Sequence, residues 1–236
     1  MLLFYIRHGD PVYEPDSLTE QGMAQAVALA ERMKICNPDT VFASSSERAL
    51  LTARPTAESL GLEIQTLDWC HEIKTWRDYS VVNKDGKRTW YFQSPEHIEM
   101  LNSEEMYRLG RNWCQHPMFR DTTIKAGAER IRRETDAFLR ELGYDRRGNG
   151  FIARERNTRR VALFAHQGFG LAFLSELLEI PYPQFCTHFD MGHTGLTVIQ
   201  FAEEGFTVPK VLQLSNDSHI FASDKLETKY QNSILF

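Results

Sequence analysis

Arg7, His8 and Gly9 lie together near the start of the chain, and His166, Gln167 and Gly168 repeat the same kind of cluster far downstream. A guanidinium offers a planar fork of donors that fits phosphate oxygens. A neutral imidazole beside it can act as a nucleophile, because its unperturbed pKa is about 6.5. Glycine next to both allows the backbone to turn and to approach a ligand closely. The chemistry this set suits is attack on a bound anion. Arg48 is a third candidate, in the run Ser44-Ser45-Ser46-Glu47-Arg48-Ala49. Serines after a strand cap helices, and a helix N-terminus favours anions.

The elements around these residues should bring them to one edge. Leu2-Leu3-Phe4-Tyr5-Ile6 is an apolar, strand-forming run that Gly9 and Pro11 stop. Val161-Ala162-Leu163-Phe164-Ala165 is apolar throughout, as a strand buried on both faces would be, and runs straight into His166. Both histidines then sit at strand carboxyl ends, the edge where open α/β sheets bind ligands.

Between them, Thr19 is expected to cap a helix whose inner face carries Met23, Ala26, Val27, Ala30 and Met33, with Asn37-Pro38 ending it. Thr40–Ala43 reads as a strand, and the helix after it should kink or split at Pro55 and end at Gly61. Glu63–Thr66 reads as a short strand, Ala128–Leu142 as a helix and Asp145–Gly150 as a loop. A helix follows His166 and stops at Pro181, and two late strands, Thr194–Phe201 and Val208–Leu214, form an antiparallel edge. The last residues read as a surface tail.

From Trp69 to about Gln115 the pattern changes: Trp69, Trp76, Tyr79, Trp90, Tyr91, Phe92 and Trp113 interleave with lysines and arginines, with a turn at Lys84–Lys87. This reads either as a cap shaping a pocket over the sheet edge or as a satellite cluster of aromatics. Basic and aromatic residues together also suit single-stranded nucleic acid, but a net charge of -5 argues against that partner. Cys36, Cys70, Cys114 and Cys186 show no metal-ligand spacing and read as reduced packing residues, so a cytoplasmic location is expected. No apolar run approaches the ~20 residues of a membrane span, and the N-terminal run is too short for a leader.

Taken in order, Arg7-His8-Gly9, Leu18-Thr19 with Gly22, Ser44-Ser45 with Arg48-Ala49 and Thr52-Ala53, His71-Glu72, His166 with Gly168, and Asn216–Ile220 resemble the motifs of the histidine phosphatase superfamily, the phosphoglycerate mutase-like family. The likeness covers about 1–66 and 126–220 and is weakest across the aromatic stretch. It implies an α/β fold: a three-layer α/β/α sandwich with a mostly parallel central sheet, one domain over 1–236 with a cap-like insertion at about 69–125. It also implies a metal-independent phosphomonoester hydrolase with no cofactor and a small-molecule substrate. His8 would form a phosphohistidine, and Arg7, Arg48 and His166 would hold the phosphoryl oxygens, with Gln167 placed in the same phosphate-binding set. Glu72 would be the proton donor, with Asp10 its rival. Two guanidiniums and an imidazole can supply the charge that a metaphosphate-like transition state needs.

Three departures mark this chain. Glu72 is followed by Ile73-Lys74-Thr75-Trp76-Arg77 rather than a glycine- and tryptophan-bearing stretch, which leaves its partners open. Gln167 in place of Asp argues against the acid phosphatase and phytase branch. The short Gly9–Leu18 segment lacks the features of a glycolytic mutase, which favours a phosphatase. A mutase, a phospho-ligand binding protein and a metal hydrolase using His8, His166 and Asp10 stand as alternatives. His193 is balanced between site and structure; His71 and His219 are read as structural. Substrate and oligomeric state are not legible.

Overall fold

The computed structural model describes residues 1–223; the tail expected at the C-terminus lies outside them. A six-stranded sheet forms the centre. Its strands are β1 (Leu2–Arg7), β2 (Thr40–Ser44), β3 (Ile64–Leu67), β4 (Arg160–Ala165), β5 (Leu196–Gln200) and β6 (Lys210–Asn216), in the order β6-β5-β1-β4-β2-β3. β1, β4, β2 and β3 run parallel, while β5 and β6 add antiparallel strands at one edge.

Side-chain alternation splits the core in two. Leu3 and Tyr5 of β1, with Val161 and Leu163 of β4, face helices α4 (Ile124–Glu141) and α5 (Gln167–Leu178). Phe4 and Ile6, with Ala162 and Phe164, face α1 (Glu20–Cys36) and α2 (Glu47–Leu60). A strand buried on both faces reads as a continuous apolar run for this reason, and helices covering both faces give the α/β layering expected.

Several local expectations need correcting. The inner face of α1 is Gly22, Gln25, Ala26, Leu29, Ala30 and Met33, whereas Met23 and Val27 are exposed. The packing stripe is set by the neighbouring α2, which comes close enough to bury Ala26 and Ala30. Pro55 neither splits nor ends α2, which runs unbroken to Leu60. Leu51, Thr52, Ala53, Thr56 and Ala57 are buried around it, and that packing offsets the loss of one helix hydrogen bond. Asp145–Gly150 is a hairpin rather than a loop, with strands Tyr144–Arg147 and Gly150–Ala153, to which Phe206–Thr207 adds a third strand.

The aromatic stretch is not a satellite cluster. It begins with α3 (Glu72–Tyr79) and continues through a small hairpin, Ser80–Val82 with Arg88–Trp90, and short helical turns. Tyr79, Tyr91, Trp113 and Phe119 are buried in the same continuous core as α4 and α5.

Candidate active site

Strand order builds the site. β4 lies between β1 and β2, with Ala165 opposite Arg7 and Phe164 opposite Ala43. The carboxyl ends of three adjacent strands therefore align, and His8, His166 and the Ser44–Arg48 segment emerge side by side. The rings of His8 and His166 lie 5.2 Å apart. Arg7, His8 and His166 are each at most 2% exposed.

Gly9 serves close packing. A Cβ there would meet the Gly22 carbonyl oxygen at 2.7 Å, and one on Gly22 would meet the Asp10 carbonyl oxygen at 2.2 Å. The loop after β1 is thus pressed against the first turn of α1, where Thr19 caps the Gly22 N–H. The Gly9 N–H donates to Thr52 Oγ1 at 2.9 Å, tying the same loop to α2.

His8 Nδ1 lies 2.7 Å from its neighbour's carbonyl oxygen, Gly9 O. A carbonyl only accepts, so Nδ1 carries the proton and Nε2 keeps its lone pair. Burial, with His166, Arg7 and Arg48 close by, holds His8 well below the ordinary imidazole range, so the ring is neutral at pH 7. Burial and the charges of Arg48 and Arg7 depress His166 in the same way.

His166 Nδ1 faces Arg48 Nη2 at 3.2 Å and Glu72 Oε2 at 3.3 Å. A guanidinium only donates, so Nδ1 accepts and Nε2–H points to Ser44 Oγ at 2.8 Å, with Ser46 Oγ at 3.3 Å. Ser46 is the residue before α2, but its hydroxyl does not cap the helix. The helix N-terminus instead receives Asp16, whose carboxylate accepts from the Glu47 N–H at 2.8 Å and from Arg48 Nη1 at 2.6 Å. The anion favoured at that position is supplied by the chain itself. Tyr5, deep under the site, donates its hydroxyl to the His166 carbonyl.

Of the two carboxylates, Glu72 is the one beside the histidine pair. Its Oε1 accepts the Phe169 N–H at 3.0 Å, which supplies the partner its altered sequence neighbours left open. Burial raises its pKa to about 7, with Arg48 and the Phe169 N–H acting in the opposite direction. Asp10 turns away: it accepts from the Thr19 hydroxyl at 2.8 Å and faces His193 Nδ1 at 3.4 Å. His193 Nε2 in turn accepts from Arg7 Nη2 at 2.8 Å, and the other terminal nitrogen of Arg7 donates to the Met191 carbonyl. Arg7 Nε and Arg48 Nε are buried without a hydrogen-bond partner. Buried donors of that kind are costly unless an acceptor reaches them.

Gln167, expected among the phosphate ligands, donates its amide to Asp190. His71 caps the first turn of α3 through Ile73 N–H, and His219 meets the Thr194 hydroxyl at 2.9 Å. His8, Glu72 and His166 present ligand-type atoms within 4.8 Å of one another, a different trio from the His8, His166 and Asp10 of the metal reading. Two guanidiniums beside the trio oppose a cation there and suit an anion.

Sequence reasoning missed Asp16, Tyr5 and Asp190, and read Ser44 as part of a helix-capping run rather than as the partner of His166. Each acts through a contact remote in sequence.

No curated protein matches the chain by sequence. Among solved structures, the chain is similar to a phosphoserine phosphatase from Entamoeba histolytica in complex with 3-phosphoglyceric acid, at 18% identity and a TM-score of 0.58, over 92% of this chain and 98% of that one. A mycobacterial glucosyl-3-phosphoglycerate phosphatase solved with VO3 gives 19% identity and a TM-score of 0.58, over 91% and 98%. A structure titled Mycobacterial hydrolase 1 gives 20% and 0.58, over 91% and 97%. At these identities the likeness is one of fold. The family model for the histidine phosphatase superfamily, branch 1, matches residues 3–109, which carry Arg7, His8, Arg48 and Glu72. Residues 3–109 thus match the histidine phosphatase superfamily, and the likeness of fold extends through the strand that delivers His166.

Proposed function

We propose that the protein is a metal-independent phosphomonoesterase that works through a phosphohistidine on His8. His8 Nε2 attacks phosphorus in line, forming an N–P bond as the ester P–O bond breaks. Arg7 and Arg48 hold the equatorial oxygens, where charge accumulates. Burial and the neighbouring positive charges depress His166, and a bound dianion offsets those charges, so that the ring takes a proton and donates to the phosphoryl group. Glu72, with a pKa of about 7, gives its proton to the departing alkoxide and then takes one from the water that attacks the phosphohistidine. A new O–P bond forms, the N–P bond breaks and the free imidazole returns.

The observation that carries this reading is the fixed tautomer of a buried neutral His8, its Nε2 directed away from the Gly9 carbonyl and flanked by two arginines. The short segment after Gly9 favours hydrolysis over a mutase reaction.

The test is phosphate release from a panel of phosphomonoesters with chelator present, comparing wild type with His8→Ala. The expected result is release that chelator leaves intact and that His8→Ala lowers by at least about 10⁴-fold, with an acid-labile, base-stable phosphoenzyme in wild type alone. Release that survives in His8→Ala would sink the mechanism.

A further inference from the structure

Glu72 has an apolar neighbour as well as its polar ones. A Cβ on Gly168 would meet Glu72 Oε1 at 2.7 Å, Trp90 Cη2 at 2.3 Å and Trp90 Cζ2 at 2.5 Å. The carboxylate and the outer edge of the indole therefore lie together over one α-carbon, in the first turn of α5. Three contacts hold the indole there. Trp90 pairs with Ser80 in the small hairpin, and Ser80 directly follows α3. Its ring meets Trp76 edge-on at 4.8 Å and stacks on Phe92 at 5.6 Å. Trp76 lies one helical turn after Glu72, so α3 carries on one face both the acid and the ring that supports its cover.

The groups around Glu72 decide what such a cover does. Arg7, Tyr5 and His8 reach it from β1 and the residue after it, Arg48 from α2, His166 from the end of β4 and the Phe169 N–H from α5. His71 stands just before it in the chain. The two guanidiniums and the N–H all favour the carboxylate form, and what favours the acid is desolvation. A carboxyl packed against an apolar ring loses hydration, which penalises its charge. The Glu72 side chain is 16% exposed, and the ring that the insertion lays against it is Trp90.

Resting on the phosphatase reading, we propose that Trp90 is a positioning residue whose indole keeps water from the Glu72 carboxyl, so that the insertion sets the pH range over which the proton donor is loaded. Esters whose leaving group needs that proton then depend on the cover, and esters with a good leaving group do not.

The test is the pH dependence of kcat/KM for glycerol 1-phosphate, with p-nitrophenyl phosphate as the ester that needs no proton. In wild type the glycerol 1-phosphate profile is expected to fall above about pH 7. Trp90→Ala should move that fall about one pH unit lower, so that kcat/KM at pH 8 drops by about tenfold while p-nitrophenyl phosphate changes by less than about twofold. Trp90→Phe removes only the outer edge of the ring system and should move the fall part of the way; it decides the matter if the alanine variant does not fold. The ester's own titration is common to all three proteins. A loss of rate with the fall unmoved in each folded variant overturns the proposal and leaves Trp90 a packing residue. If wild type cleaves no ester, the phosphatase reading fails, and the titration of Glu72 itself decides. Carbon NMR of protein labelled at the glutamate carboxyls, with the Glu72 signal assigned by Glu72→Gln, should then show a lower midpoint in Trp90→Ala, and an unmoved midpoint overturns the cover.

Discussion

The strand-end site and the aromatic insertion are built on different principles. In the site, Arg7, His8 and His166 sit at the ends of strands buried on both faces, Arg48 and Glu72 sit in the first turns of helices, and hydrogen bonds fix the positions: Gly9 O on His8, Ser44 on His166, Phe169 N–H on Glu72. In the insertion, short helices and a small hairpin hold their side chains by ring contacts. The indoles of Trp76 and Trp90 lie 4.8 Å apart, and Trp90 stacks on Phe92 at 5.6 Å. A Cβ on Gly168 would clash with the Trp90 ring at 2.3 Å, so the insertion presses directly on the start of α5. On the proposed phosphatase reading, the first region carries the reaction and the second chooses what enters it. The contrast teaches that rate and selectivity should separate on mutation. Changes at the strand ends should lower turnover of every ester alike, and changes in the insertion should affect esters unequally.

Loss of His8 is the largest effect expected. Next is Glu72→Gln, which should lower kcat/KM for alkyl esters by about 10²–10⁴-fold and for p-nitrophenyl phosphate far less, because that leaving group needs no proton, while hydrolysis of the phosphohistidine slows for both. In wild type, alkyl-ester turnover should fall above about pH 7 as Glu72 loses its acid form. The same residue makes a stability prediction. Its folded pKa lies above its unfolded value, so the folded state holds the proton more tightly. Stability is then lost as pH rises from about 4.5 through about 7. Glu72→Gln, neutral at all pH values, should melt a few degrees above wild type at pH 8 and gain nothing at pH 4. An unchanged difference across that range would contradict the half-buried, proton-holding environment of Glu72.

His193 should have a smaller effect, of about tenfold. Because its Nε2 accepts from Arg7 and its Nδ1 faces Asp10, it positions a phosphate-binding arginine. His193→Leu should raise KM for all esters in the same proportion, and His193→Gln, which keeps an acceptor, should recover part of the loss. Substrate-dependent losses would move His193 to the selecting region.

The smallest mean effect and the largest spread belong to Trp90→Ala, measured as kcat/KM across the ester panel. A uniform loss would break the division between the two regions. Trp113 should not behave like Trp90, although both sit in the same aromatic stretch. It is buried against Phe119 and Tyr182, and Trp113→Ala should cost about 3–5 kcal/mol of stability without altering selectivity.

Among the described residues, no helix is long and apolar enough to cross a membrane. The four cysteines are unpaired, and burial pushes the Cys70 and Cys114 thiols up to about 12, which suits packing rather than reactivity.

The sequence by itself determined the buried strands, the helix caps at Thr19 and Gly61, and the residue types that carry the chemistry. These are local properties: side-chain period, turn chemistry and the pairing of arginine with histidine at a strand end. Tertiary structure decided what no spacing encodes. It set β4 between β1 and β2, so that His166 meets His8 and Arg48 rather than standing at a distant edge. It gave Glu72, not Asp10, the place beside the histidines, and put Asp16 on the N-terminus of α2. It also fixed the charge states, because desolvation depends on what packs over a group and not on its neighbours in sequence. The insertion was least legible for the same reason: its aromatics follow no period, and only the packed fold separates Trp113, held in the core, from Trp90, held against the site.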